Sequence, residues 1–175
     1  DIEAAFTAAQ EVESATVTLL DNVTIPQKKD KYSYGIRLKK GSIVLDLNGK
    51  TIQTTEYSDP DSGLALLDAV FYLEKENAML TVRDNVGNGK IQQPNAVQAI
   101  SVSSGTLTVE SGTIEVTSDE EASTSSFVTT QNCAVFVSSA GTAKIQGGKL
   151  IGRQGIYIRD KDGRLTITGE PQIQG

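Results

Sequence analysis

Residues 104–116 read SGTLTVESGTIEV, and the alternation in this stretch recurs through the chain. Apolar side chains fall at Leu107 and Val109, a Ser111-Gly112 pair interrupts, and the alternation resumes at Ile114 and Val116. A period of two sends successive side chains to opposite faces of a strand, so the stretch predicts two short strands joined by a tight corner. So small a unit has nothing of its own to bury its apolar side against, and must stack on copies of itself.

The copies are marked by their corners: Asn48-Gly49-Lys50, Asn88-Gly89-Lys90, Ser111-Gly112-Thr113, Gly147-Gly148-Lys149 and Thr168-Gly169-Glu170. Gly and Asn suit a corner because they adopt positive φ at little cost. The corners follow alternations at Leu45/Leu47, Leu80/Val82, Leu107/Val109, Ala143/Ile145 and Leu165/Ile167, and precede Ile52, Ile91, Ile114, Leu150 and Ile173. Upstream of each alternation lies one more short strand, at Ile36/Leu38, Phe71/Leu73, Ile100/Val102, Val135/Val137 and Ile156/Ile158. The corner glycines are 40, 23, 36 and 21 residues apart, a basic turn of about 22 with two insertions. This predicts an all-β fold, a right-handed parallel β-helix of three sheets and about six rungs. A Greek-key sandwich would not place the same corner at the same point of successive repeats.

The opening residues 1–14, DIEAAFTAAQEVES, carry Ile2, Phe6 and Ala9 at helical spacing and predict an amphipathic helix that caps the open end of the solenoid. Val17, Leu19, Val23 and Ile25 then form an opening partial rung. The insertions, residues 54–68 and 117–132, occupy the same place in the turn and are expected along one edge, with Leu64, Leu66, Leu67 and Phe127 as an apolar underside. Residues 1–175 read as one domain, and the repeat stops in mid-pattern at Pro171–Gly175, as expected of a segment of a longer protein.

Sixteen Lys and Arg against 22 Asp and Glu give a net charge of −6, which argues against nucleic acid or an anionic membrane as principal partner. No apolar run is long enough to cross a membrane. The single cysteine, Cys133, opens a strand and is expected to be buried and chemically idle. The basic run Lys28-Lys29-Asp30-Lys31, the pair Lys39-Lys40 and the acidic run Asp119-Glu120-Glu121 read as solvated loop faces.

Histidine is absent, which removes His-based triads, metal sites and general bases together. Glycoside hydrolysis needs two carboxyls facing one sugar across a fixed gap. Asp160 and Asp162 sit in a turn, and Asp46 is expected to point outward in line with Thr81, Thr108, Lys144 and Thr166, where no acidic cluster forms. A lyase would need several Ca-binding acids beside an Arg base, and Arg153, Arg159 and Arg164 have too few acids near them. Asp59-Pro60-Asp61-Ser62-Gly63 and Asp160-Lys161-Asp162-Gly163 each carry a D-x-D beside glycine, but lack the later acidic ligands of a calcium loop and read as turns. No catalytic residue, metal or cofactor is expected.

Strand parity gives the remaining signal. In the first strand of each rung the residues between the inward pairs face out: Arg37, Tyr72, Ser101, Phe136 and Tyr157, with Arg159 beside the last. Aromatic faces flanked by guanidinium groups suit sugar rings, whose C–H faces are apolar and whose hydroxyls seek charged neighbours. The competing expectation is that the insertions fold over this sheet and bury the rings.

The runs LLDNVTI, IVLDLNGKTI, LTVRDNVGNGKI and GTLTVESGTIEV resemble the repeat regions of large secreted or wall-anchored bacterial proteins of the pectate-lyase-like β-helix superfamily. The resemblance implies an extracellular location and a carbohydrate or host-surface partner, in a superfamily that includes lyases, hydrolases, adhesins and tailspikes. The expected function is a non-catalytic adhesin or binding module with Arg37, Tyr72, Phe136, Tyr157 and Arg159 on its ligand. The alternatives are a structural spacer and a polysaccharide-degrading domain.

Overall fold

The structure is a computed structural model that describes residues 1–28, 34–57, 66–118, 124–125, 128–129 and 132–175, the four residues at 124–125 and 128–129 by backbone alone. All but two of its described strands assemble into three all-parallel sheets visited in rotation by the chain, the arrangement of a parallel β-helix. Sheet 1 contains Ser14–Thr18, Gly41–Asp46, Ala78–Arg83, Thr106–Val109, Thr142–Ile145 and Arg164–Ile167. Sheet 2 contains Val23–Ile25, Thr51–Thr54, Lys90–Gln93, Thr113–Val116, Lys149–Ile151 and Gln172–Gln174. Sheet 3 contains Ile36–Leu38, Phe71–Leu73, Gln98–Val102, Cys133–Val137 and Gln154–Ile158.

Register stacks like on like. Leu45, Val82, Val109, Ile145 and Ile167 pair in succession down sheet 1. Ile52, Ile91, Ile114, Leu150 and Ile173 do the same in sheet 2, and Leu38, Leu73, Val102, Val137 and Ile158 in sheet 3. These three interior columns are aliphatic and stack into one continuous core, with the buried polar pair Thr54 and Gln93 beside them in sheet 2. At the final turn the inward Ile158, Ile167 and Ile173 are exposed.

Partners in sheet 1 lie 28 (Ser14 to Ser42), 37 (Ser42 to Met79), 27 (Met79 to Thr106), 36 (Thr106 to Thr142) and 22 (Thr142 to Arg164) residues apart. The two long turns hold the insertions, which are shorter than the sequence suggested. Thr54 belongs to a strand and its Oγ1 donates to Gln93 Oε1 at 2.7 Å, while Leu67, Ala69 and Val70 are already buried. At the second insertion Asn132 is buried and its Nδ2 donates to Ser118 O at 2.8 Å, tying the two ends together. A short antiparallel pair, Thr124–Ser125 with Val128–Thr129, lies within it.

Two sequence alignments need correction. The second strand of the first full rung carries Ile43/Leu45 inward, not Leu45/Leu47, because Leu45 pairs with Val82 and Leu47 turns into the corner, where it is fully buried. It follows that Val44, not Asp46, lines up with Thr81, and Asp46 pairs with Arg83. The second correction concerns Gly89, which has no positive φ; Gly87 (φ 95°) and Asn88 (φ 67°) make that turn. Gly89 is there for room: a Cβ would stand 2.6 Å from Leu47 Cβ and 2.7 Å from Asp84 Cγ.

The capping helix spans Ile2–Ala9, not 1–14. Asp1 caps it by accepting from Glu3 N at 3.0 Å. It ends early because the following residues are drawn into sheet 1, where Ser42 N donates to Glu13 O and Ser14 pairs with Ser42. Phe6 and Ala9 are buried against the first rungs, Phe6 meeting Phe71 edge-on with ring centres 5.3 Å apart. Gln10 finishes the exposed edge of sheet 3 as a surrogate strand, donating to Arg37 O at 3.2 Å and accepting from Lys39 N at 2.7 Å. Lys28 pairs with Glu3 on the helix and Lys40 with Glu11 just after it, so parts of both basic runs hold the N-terminal segment rather than only face solvent.

Candidate functional site

Register places the out-facing residues of sheet 3 in one column: Arg37 beside Tyr72, Tyr72 beside Ser101, Ser101 beside Phe136, and Phe136 beside Tyr157. Ser101 is small and buried, so the column divides into two aromatic clusters.

In the upper cluster Tyr34 stacks on Tyr72, with ring centres 4.0 Å apart and planes 12° from parallel. The Arg37 guanidinium lies 5.1 Å from the Tyr34 ring centre and 5.9 Å from that of Tyr72, and its Nη1 is 3.9 Å from Glu74 Oε2. Burial pushes the Tyr34 hydroxyl up to about 12, with Tyr72 and Asp68 adding to the effect. Burial likewise pushes the Asp68 carboxyl up to about 6. The cluster therefore combines stacked rings, a guanidinium, a carboxylate and an acid that titrates near neutrality.

In the lower cluster Phe136 and Tyr157 stack at 5.8 Å with planes 14° from parallel, and Arg159 lies 5.5 Å above Phe136. Arg159 is held by Asp160, whose Oδ2 accepts from Arg159 Nε at 3.1 Å and from Ser139 N at 2.7 Å. The Ser139 backbone N–H, ahead of Arg159, holds the Asp160 carboxyl below the usual range. This second D-x-D is a turn, as expected, and Gly163 N closes it on Asp160 O at 3.1 Å. Asp59–Gly63, Leu64, Phe127 and Asp119–Glu121 lie outside the described residues.

All five expected site residues thus share one face, but their exposure differs. Phe136 is only 5 % exposed, Tyr72 and Tyr157 are half-buried, and Arg37 and Arg159 are exposed. Leu66 is half-buried and Leu67 joins the core instead of roofing the sheet. Sequence reasoning missed Tyr34, Asp68 and Glu74. Counting by twos from Ile36 puts Tyr34 inside; it lies outside because regular strand begins only at Ile36.

A separate polar corner joins sheets 1 and 2. Asp46, expected to point outward, is 6 % exposed; it accepts from Asn48 N and Asn85 Nδ2 and lies 3.4 Å from Arg83 Nε. Asp84 receives backbone N–H groups from Gly49 (2.8 Å), Gly89 (2.6 Å) and Val86 (3.4 Å), and from Gly87. Burial opposes its charge, yet these donors outweigh burial and hold the carboxyl below its ordinary range. Cys133 is buried, which pushes its thiol up to about 12, and among the described residues no three His, Cys, Asp or Glu side chains gather to hold a metal.

Compared with known protein families, curated proteins and solved structures, the chain matches none.

Proposed function

We propose that this β-helix is a non-catalytic, extracellular carbohydrate-binding module of the pectate-lyase-like kind, acting through the outer face of sheet 3. The observation that supports this reading most is the repetition of one chemistry at two heights of one sheet: Tyr34–Tyr72 with Arg37, and Phe136–Tyr157 with Arg159. Stacked rings offer apolar faces to sugar C–H groups, and the guanidinium groups offer fixed donors to hydroxyls or carboxylates. Phe136 supports Tyr157 from beneath, which leaves Tyr34, Arg37, Tyr157 and Arg159 as the contact groups. A glycan array probed with wild type, Tyr34→Ala and Tyr157→Ala tests this, repeated with a chelator. Each variant loses signal for the same glycans, and the chelator changes nothing; undiminished binding by both variants overturns the reading.

The burial of Phe136 and the covering of one Tyr72 face by Tyr34 favour a second reading, a structural spacer in which these stacks only stiffen the sheet. Such a spacer binds no glycan and loses stability in both variants.

A further inference from the structure

The corner between sheets 1 and 2 contains a chemical hazard. In an Asn-Gly pair the glycine nitrogen, unscreened by any side chain, can attack the asparagine side-chain carbonyl carbon. A new N–C bond closes a succinimide, the C–N bond to the amide nitrogen breaks, and ammonia leaves carrying the proton; water then opens the ring to Asp or isoaspartate. The attacking species is the amide anion, formed by loss of the glycine N–H.

The chain has two such pairs, Asn48-Gly49 and Asn88-Gly89. The fold cannot easily dispense with either, since both asparagines hold positive φ, 49° and 67°, and Gly89 has no room for a Cβ. Both glycine nitrogens converge on one side chain: Gly49 N lies 2.8 Å from Asp84 Oδ1, and Gly89 N lies 2.6 Å from Asp84 Oδ2. We propose that Asp84 protects both Asn-Gly pairs from succinimide formation, holding each attacking nitrogen as a donor to a fixed negative charge.

Two physical effects act together. Each N–H is committed to the Asp84 carboxylate and so kept from the adjacent carboxamide. Removing its proton would also create an anion at hydrogen-bond distance from that carboxylate, and like charges at such range disfavour the charged form strongly. At Asn48 the electrophile is restrained as well, its Nδ2 donating to Leu19 O at 2.9 Å. Conversion there would remove that donor and add a carboxylate beside Asp46 and Asp84, at the corner that joins the first turns. Isoaspartate would also lengthen the backbone where Leu47 is sealed.

The test is peptide mass mapping of Asn48 and Asn88 after incubation at mildly alkaline pH, with isoaspartate detected separately. Wild type, Asp84→Asn, Phe6→Ala and the denatured wild-type chain are compared. Phe6→Ala is the control, because it weakens the fold at the distant cap without touching this corner. The denatured chain converts at both pairs, while native wild type and Phe6→Ala stay slow. Asp84→Asn speeds both pairs together by about tenfold or more, the factor that one unit in the amide pKa supplies. The proposal is overturned if either pair in Asp84→Asn stays at the wild-type rate, or if Phe6→Ala accelerates both as much. Should Asp84→Asn not fold, amide hydrogen exchange in wild type decides, since it passes through the same anion. Gly49 and Gly89 then exchange more slowly than Gly112, a corner glycine whose nitrogen donates to no carboxylate among the described residues; equal or faster exchange at either overturns the proposal.

Discussion

Replacing Asp84 by Ala removes one carboxylate and leaves four backbone N–H groups, those of Gly49, Val86, Gly87 and Gly89, without their acceptor. A hydrogen bond to a charged group contributes about 1.5–3 kcal/mol. Only the two short bonds, at 2.6 and 2.8 Å, deserve that weight. The side chain is partly solvated, so screening brings their sum to about 2–3 kcal/mol. For a chain of this size that is a fall in Tm of about 5–10 °C. The pH dependence carries its own sign. The folded carboxyl titrates below its unfolded value of 3.8, so the stabilisation is fully present above that value and is lost as pH falls through the folded pKa. Urea titrations of wild type and Asp84→Ala from neutral to strongly acid pH check both points, and the two curves converge at the acid end. A difference under about 0.5 kcal/mol at neutral pH, the range of ordinary surface substitutions, or one that persists unchanged into strong acid, refutes the reasoning.

Phe6→Ala empties a fully buried site beneath the cap and costs about 3–5 kcal/mol by urea denaturation, with the first rungs losing hydrogen-exchange protection before the middle ones. Asp68 behaves oppositely to Asp84: its folded pKa of about 6 exceeds the unfolded 3.8, so the penalty for burying its charge sets in as pH rises between those values. Asp68→Asn therefore raises stability at neutral pH and loses that effect as pH falls through 3.8, below which the carboxyl is protonated in both states. Cys133 stays unreactive toward a thiol reagent in the native protein and reacts fully in denaturant; rapid native labelling contradicts its burial.

The solenoid was legible because its signal is repeated: an aliphatic at Leu107, Val109 and Ile114 is ambiguous once, but not when the same spacing recurs around Leu80 and Leu165. Register within the rung at Leu45 was not legible, since glycine marks only that a corner is near, and Leu47 looks like one more strand residue while filling the corner itself. The out-facing column on sheet 3 followed from parity alone. Tyr34 and Asp68 did not, because they lie outside regular strand, where no period says which way a side chain points. Asp84 was invisible for a related reason: its four donors come from two turns of the helix, and only the stacking brings Gly49 to it.

The most direct measurement is titration calorimetry of oligosaccharides that score on the array. It compares wild type with a sheet 3 variant, Tyr34→Ala/Tyr157→Ala, and a sheet 1 variant, Thr81→Ala/Thr108→Ala. Wild type and the sheet 1 variant bind alike while the sheet 3 variant loses at least about tenfold in affinity, roughly 1.4 kcal/mol. No binding by wild type to any glycan, or equal affinity in all three, would contradict the proposed function.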